Sequence, residues 1–161
     1  MIKELQKQVE QQIASIKWIQ QPTGLYEPIE YVLSLGGKRI RPVLTLLACR
    51  LFSGDEKAAM PAALAIEVFH NFTLLHDDVM DRADTRRGKA TVHKKWNDNT
   101  AILSGDAMLI KAYQMLQSVS SNQFPLLLQL FSQTAMEVCE GQQYDVDFES
   151  DDSVSLDSYI E

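Results

Sequence analysis

Between residues 74 and 88 the chain reads LLHDDVMDRADTRRG, which sets Asp77, Asp78 and Asp81 close together and follows them with Arg86 and Arg87. Like charges at helical spacing repel, so this cluster calls for something that offsets the cost. A helix advances about 100° per residue, which leaves Asp77 and Asp81 about 40° apart on successive turns. His70 falls two turns before Asp77 and about 20° from it, on the same stripe. Asp78 is displaced by about 100° and reads as a supporting group. Paired carboxylates on one helix face suit a hard divalent cation such as Mg²⁺. That ion takes one or two carboxylates, keeps several waters, and lets phosphate oxygens complete its shell. A solvated acidic helix end has the same spacing. The apolar leader Phe72-Thr73-Leu74-Leu75 argues against it, because the carboxylates abut a segment suited to burial. An EF-hand loop is excluded by the spacing. His70 stays open between a site histidine and a core one.

The basic residues complete the pattern. Arg86 and Arg87 follow the acidic segment, and guanidinium forks match phosphate oxygens. GGKRIRP, residues 36–42, places Lys38 and Arg41 at a helix start, where amides and the dipole favour anions. Alone, GGKR is equally a surface turn. Acidic metal ligands with two separate cationic clusters suggest two phosphorylated molecules, one held through a cation and one held directly.

The elements that must position these groups read as helices. Ile2, Leu5, Val9, Ile13 and Ile16 predict a helix over residues 2–20. QPTG breaks it. Residues 25–35 are helical up to Gly36-Gly37, a C-terminal signal. A third helix starts near 39–42 with Pro42 in its first turn. A long apolar helix covers 58–82, a polar loop 83–97, and a helix capped by Asp98 or Asn99 carries ILSGDAMLIKAYQMLQ. The last full helix starts near Pro125 and runs to about 148. Ser155 caps the first turn of another helix, which suggests that the chain is the N-terminal part of a longer polypeptide. No repeat and no period-2 strand is evident, so the class is all-α.

The 161 residues suffice for one domain with a core, and 45% of them are hydrophobic, which argues against disorder. The net charge of −7 argues against nucleic acid as partner. No charged residue occurs from Ala112 to Met136, and no Lys or Arg from Glu137 to Glu161. Cys49 and Cys139 make neither a disulfide framework nor a zinc site, which fits a reduced, cytoplasmic setting. No apolar run approaches the length of a membrane span, and MIKELQKQVEQQ is not a signal peptide.

GGKRIRP (36–42), HNFTLLHDDVMDRADTRRG (70–88), GDAML (105–109) and EGQQYD (140–145) together resemble the trans-type isoprenyl diphosphate synthases, in the right order and over nearly the whole chain. The resemblance implies a bundle of antiparallel helices of the isoprenoid synthase type around a central cavity, usually a homodimer. It implies Mg²⁺-dependent condensation of isopentenyl diphosphate with an allylic diphosphate. Carried over by position, Asp77 and Asp81 hold the metal with Asp78 in support, and Arg86 contacts the allylic diphosphate. Lys38, Arg41, His70 and Arg87 hold isopentenyl diphosphate. Gln142 and Asp145 lie near the site, with Gln142 on the allylic diphosphate. Phe72, with Thr73 beside it, corresponds to the floor that stops chain growth, which favours C15–C20 products. Ideal helix geometry puts Phe72 about 140° off the Asp77 stripe, so that role rests on the resemblance, and a plain core Phe fits as well.

One departure matters. The family's second aspartate-rich motif and its Lys-Thr pair are absent, and Asp151-Asp152-Ser-Val-Ser-Leu-Asp157 has the wrong spacing to replace the motif. The expectation is therefore that this chain alone is inactive. Other readings are a non-catalytic partner subunit or a fragment of a synthase. A class I terpene cyclase has no use for the GGKR site, and an HD-type phosphohydrolase, suggested by His76-Asp77, needs more ligands than His70 and His93 supply.

Overall fold

A computed structural model of the chain describes residues 1–52, 54–120, 122–150 and 153–160, with backbone alone at 158 and 159. The described residues form α1 (Ile2–Ser15), α2 (Thr23–Ser34), α3 (Ile40–Leu51), α4 (Glu56–Met80), β1 (Thr85–Arg86), β2 (Lys89–Ala90), α5 (Val92–Lys95), α6 (Asp98–Leu116), α7 (Phe124–Phe148) and α8 (Leu156–Ile160). The all-α expectation holds. They divide into two compact units, Met1–Ser121 and Asn122–Glu161.

In the first unit α4 packs on both α3 and α6, while α1 packs on α3 and α2 on α6. The spacing of apolar residues explains the helices. Leu5, Val9 and Ile13 recur every fourth residue of α1 and are buried. Val68 and Leu75, two turns apart, are buried on α4, as are Met108, Ala112 and Leu116 along α6. Side chains satisfy free amides at helix starts: Asp55 accepts from Lys57 N at 2.9 Å, and Asn97 accepts from Thr100 N at 2.8 Å. The α6 cap is thus Asn97, not Asp98 or Asn99.

Two sequence expectations change. The first helix ends at Ser15, not near residue 20. Ile16 is extended, and the buried Trp18 donates its indole N–H to Ile13 O at 3.0 Å. The ring satisfies a helix-end carbonyl and fills the core in place of another turn. The expected loop over 83–97 contains a hairpin, Thr85 facing Ala90 and Arg86 facing Lys89, followed by the short α5. Its two turn residues, Arg87 (φ 53°) and Gly88 (φ 74°), are both left-handed, the backbone of a tight hairpin turn that matches strand twist. Arg-Gly is not the usual Asn-Gly signal, so the pattern hid it.

A third correction concerns hydropathy. α4 is long and apolar enough to cross a membrane, with mean hydropathy 1.3. Half of that window is buried inside the folded unit, and the helix carries Glu67, Asp77 and Asp78, so it is the core helix of this fold. In the second unit Pro125 sits in the first turn of α7, whose described side chains are none of them buried. Asp151 and Asp152 lie outside the described residues.

Gly105 on α6 faces His76 on α4 at close range. A Cβ there would lie 2.3 Å from His76 Nε2. The His76 ring donates to Ile102 O at 3.2 Å and meets the Phe72 ring edge-on at 4.7 Å. Overpacking a filled interface costs about 1–3 kcal/mol. Gly105→Ala is therefore expected to destabilise the chain by about that amount in urea unfolding. His76→Ala combined with it should restore part of the loss, since the two contacts are one.

Candidate functional site

The three aspartates occupy the last turn of α4. There the helix ends in a Schellman motif: Ala83 N bonds to Asp78 O at 3.0 Å and Arg82 N to Val79 O at 3.3 Å, with Arg82 left-handed at φ 53°. This is the negative end of the helix macrodipole, the unfavourable end for carboxylates. Asp78 is 3% exposed and fully engaged: Arg86 Nε and Nη2 each reach its Oδ1 at 2.7 Å. The bond raises the Arg86 pKa further. Asp77 is half-buried. Burial first, then the neighbouring Asp81, push its carboxyl above the ordinary value, against the pull of Arg86. Among the described residues neither the Asp77 nor the Asp81 carboxylate has a hydrogen-bond or ion-pair partner.

The hairpin splits two consecutive arginines between two clusters. Arg86 lies in β1 and turns to Asp78. Arg87 lies in the turn, donates Nη1 to Gly36 O, and packs its guanidinium 3.2 Å from where a Gly37 Cβ would stand. Only glycine leaves that space, and Gly36 is itself left-handed at φ 69°. Burial, and then the nearby Arg39, lower the Arg87 pKa, though a guanidinium stays charged.

The GGKRIRP segment brings its cations to the start of α3. Lys38 and Arg41 are exposed. Arg41 Nη1 lies 3.2 Å from His70 Nε2. A guanidinium only donates, so Nε2 accepts and the imidazole is neutral. Burial first, then Arg41, with Arg87 and Arg86 adding, hold the His70 pKa below its ordinary value. These same charges tie the two clusters together: His70 feels Arg41, Arg87 and Arg86, and Arg86 feels Asp77, Asp78 and Asp81.

Between Lys38 and Arg41 stands Arg39, which sequence reading passed over. It is the α3 N-cap, left-handed at φ 48° and ψ 37°, and 2% exposed. Its guanidinium donates to Glu10 Oε1 at 2.8 Å, Glu67 Oε1 at 2.7 Å and Leu33 O at 2.7 Å. Burial opposes its charge, but the bonds to Glu10 and Glu67 outweigh that and raise its pKa. Nothing in KRIR tells which arginine turns inward. That follows from the left-handed backbone, which reverses the chain before α3.

Other expected residues stand as follows. Phe72 is half-buried against Phe69 (5.5 Å) and His76, and Thr73 Oγ1 donates to His70 O at 2.9 Å. Gln142 and Asp145 are three residues apart on α7, in the second unit. A cleft of about 740 Å³ lined by Gln8, Asp55 and Lys57 opens at the start of α4. That is roughly 30 Å or more of helix away from Asp77, so it is not part of this cluster.

The donor set fits Mg²⁺. Two partnerless carboxylates at a negative helix end attract a hard cation, and one or two carboxylates are what that ion takes from protein. Among the described residues no group of three or more His, Cys, Asp or Glu side chains is placed to hold a metal ion.

The chain is 40% identical over 162 residues to a geranylgeranyl diphosphate synthase of Methanosarcina mazei, covering 99% of this chain and 50% of the relative. It is 37% identical to a geranylfarnesyl diphosphate synthase of Natronomonas pharaonis, covering 89% and 47%. Among solved structures, a geranylgeranyl pyrophosphate synthase matches with TM-score 0.95 at 54% identity over 99% of this chain and 49% of that one. The synthetase of Geoglobus acetivorans matches with TM-score 0.94 at 40% identity, over 98% and 52%. The chain thus spans about half the length of the curated relatives it matches. The polyprenyl synthetase model matches residues 22–161, all four motifs included, and the chain belongs to the polyprenyl synthetase family.

Proposed function

We propose that this chain supplies the N-terminal part of one isoprenoid synthase domain, and that the intact protein condenses isopentenyl diphosphate with an allylic diphosphate to a C15–C20 product. The observation that carries the reading is the contrast at the end of α4. Asp78 is neutralised by Arg86, while the Asp77 and Asp81 carboxylates are left without partners beside a separate set of cations.

In this reading Asp77 and Asp81 hold Mg²⁺, which supplies charge neutralisation to the oxygens of the departing diphosphate. Arg86, fixed by Asp78, presents its remaining N–H donors to the allylic diphosphate. Lys38, Arg41 and Arg87 seat isopentenyl diphosphate, and neutral His70 spends its Nε2 on Arg41 and keeps a proton on Nδ1 to donate. The allylic C–O bond breaks, the isopentenyl double bond attacks the allylic carbon, and a proton leaves the new chain. Phe72, braced by Phe69 and His76, and Thr73 bound the space for the tail. The chain's missing second aspartate motif supports the view that the 161 residues alone do not turn over.

The protein is further proposed to act as a cytoplasmic homodimer. The support is a set of exposed apolar residues on α6, Ile102, Leu103 and Ile110. Sedimentation of the intact protein checks this, with a monomer at micromolar concentration counting against it.

Asp77→Asn and Asp81→Asn in the intact protein are each expected to lower prenyl transfer by about 10²-fold or more, with the fold retained by circular dichroism. The 161-residue chain assayed alone is expected to show none. Full turnover by either variant overturns the metal assignment. Activity of the short chain overturns the fragment reading, and an inactive intact protein points to the partner-subunit reading. Phe72→Ala in the intact protein is expected to lengthen the product by one or more prenyl units, read by chromatography. An unchanged product length makes Phe72 a core residue.

A further inference from the structure

Three separate elements converge on Arg39. Its guanidinium donates to Leu33 O at the end of α2, to Glu10 on α1, and to Glu67 on α4. With a second bond to Glu10 at 3.4 Å, four of its five N–H donors are engaged. Glu67 Oε1 also accepts from Asn71 Nδ2 at 3.0 Å, so the carboxylate is itself held in place. The side chain is fully shielded from solvent, so Arg39 has little left to offer a ligand.

Its neighbours face the other way. Lys38 is exposed, and Arg41 is exposed with His70 as partner. Glu67 and His70 stand three residues apart on α4 and hence on adjacent positions of one face. One turn of α4 therefore grips the segment twice: from inside through Glu67 and Arg39, and at the surface through His70 and Arg41. The glycines before it are tied as well. Gly36 O accepts from Arg87, and Gly37 O accepts from Gln6 Nε2 at 3.3 Å. The left-handed backbone of Arg39 is what turns the chain between these grips.

We infer that Arg39, locked by Glu67, is a positioning residue for the cationic rim of Lys38, Arg41, His70 and Arg87, and so sets affinity for the diphosphate seated there. This rests on the function proposed above and deepens it by separating the rim that seats one diphosphate from the Asp78–Arg86 pair that serves the other. Without the lock the rim must be ordered by the ligand itself, and that ordering cost appears as lost affinity. Lysine keeps the charge at 39 but cannot present a planar fork to three acceptors.

The test uses the intact protein. Arg39→Lys is expected to raise KM for isopentenyl diphosphate about tenfold, with kcat and KM for the allylic diphosphate within about threefold. Glu67→Gln removes the carboxylate charge that locks Arg39 and is expected to raise KM for isopentenyl diphosphate in the same direction, with kcat within about threefold. Because single changes at a buried pair can unfold a protein, Arg39→Met with Glu67→Met forms the second arm. An apolar pair replaces a buried ionic one at little cost in stability. That variant should fold and bind inorganic diphosphate about tenfold more weakly by calorimetry. Wild-type KM and diphosphate affinity in folded variants overturn the inference, as does failure of both Arg39 variants to fold, which makes the residue a determinant of the fold alone. If the wild type binds diphosphate but transfers no prenyl group, the proposed reaction fails while the binding arm still decides the role of Arg39. A wild type that binds no diphosphate overturns both.

Discussion

The arrangement depends on negative charge placed where a helix tolerates it least. α4 ends on Asp77, Asp78 and Asp81, at the end where its own dipole is negative. One of the three is neutralised internally by Arg86, and the other two are not. Burial first, and then Asp81, push the Asp77 carboxyl above its ordinary value. In the proposed reading a divalent ion would relieve that repulsion, and phosphate oxygens would share its shell. The rest of the first unit serves to hold this turn still.

Three arginines do so through unusual backbone. Arg39, Arg82 and Arg87 all have positive φ, which for residues with a Cβ costs about 1 kcal/mol or more each. Each sits at a chain reversal: Arg82 ends α4, Arg87 turns the hairpin, and Arg39 starts α3. Hydrogen bonds offset the strain. The Schellman pair closes α4, Arg87 holds Gly36 O, and Arg39 holds Leu33 O, Glu10 and Glu67. The reversals let Arg86 and Arg87, adjacent in the chain, serve different clusters.

Packing between α4 and α6 supplies the second restraint. Gly105 lets the two helices approach until the His76 ring lies against α6 backbone. Since His76 directly precedes Asp77, that contact bears on how the acidic turn is rotated. Phe72 leans on the same ring, so Phe72 and the acidic turn share one support.

Much of this was legible from residues 36–42 and 70–88. Apolar spacing by itself determined the helices, because burial of a stripe is a local, periodic demand. The stripe of Asp77 and Asp81, the supporting place of Asp78, and the cations at the start of α3 follow from helix geometry alone. Local pattern failed where a single distant contact decided. Trp18 ended α1 early by reaching back to Ile13, and the Arg87-Gly88 turn made a hairpin without the usual residues. Only the tertiary structure decided that Arg39 goes inside while Arg41 stays out. The two differ by a left-handed backbone and by acceptors on three other elements, and neither of those can be read from neighbours in the chain.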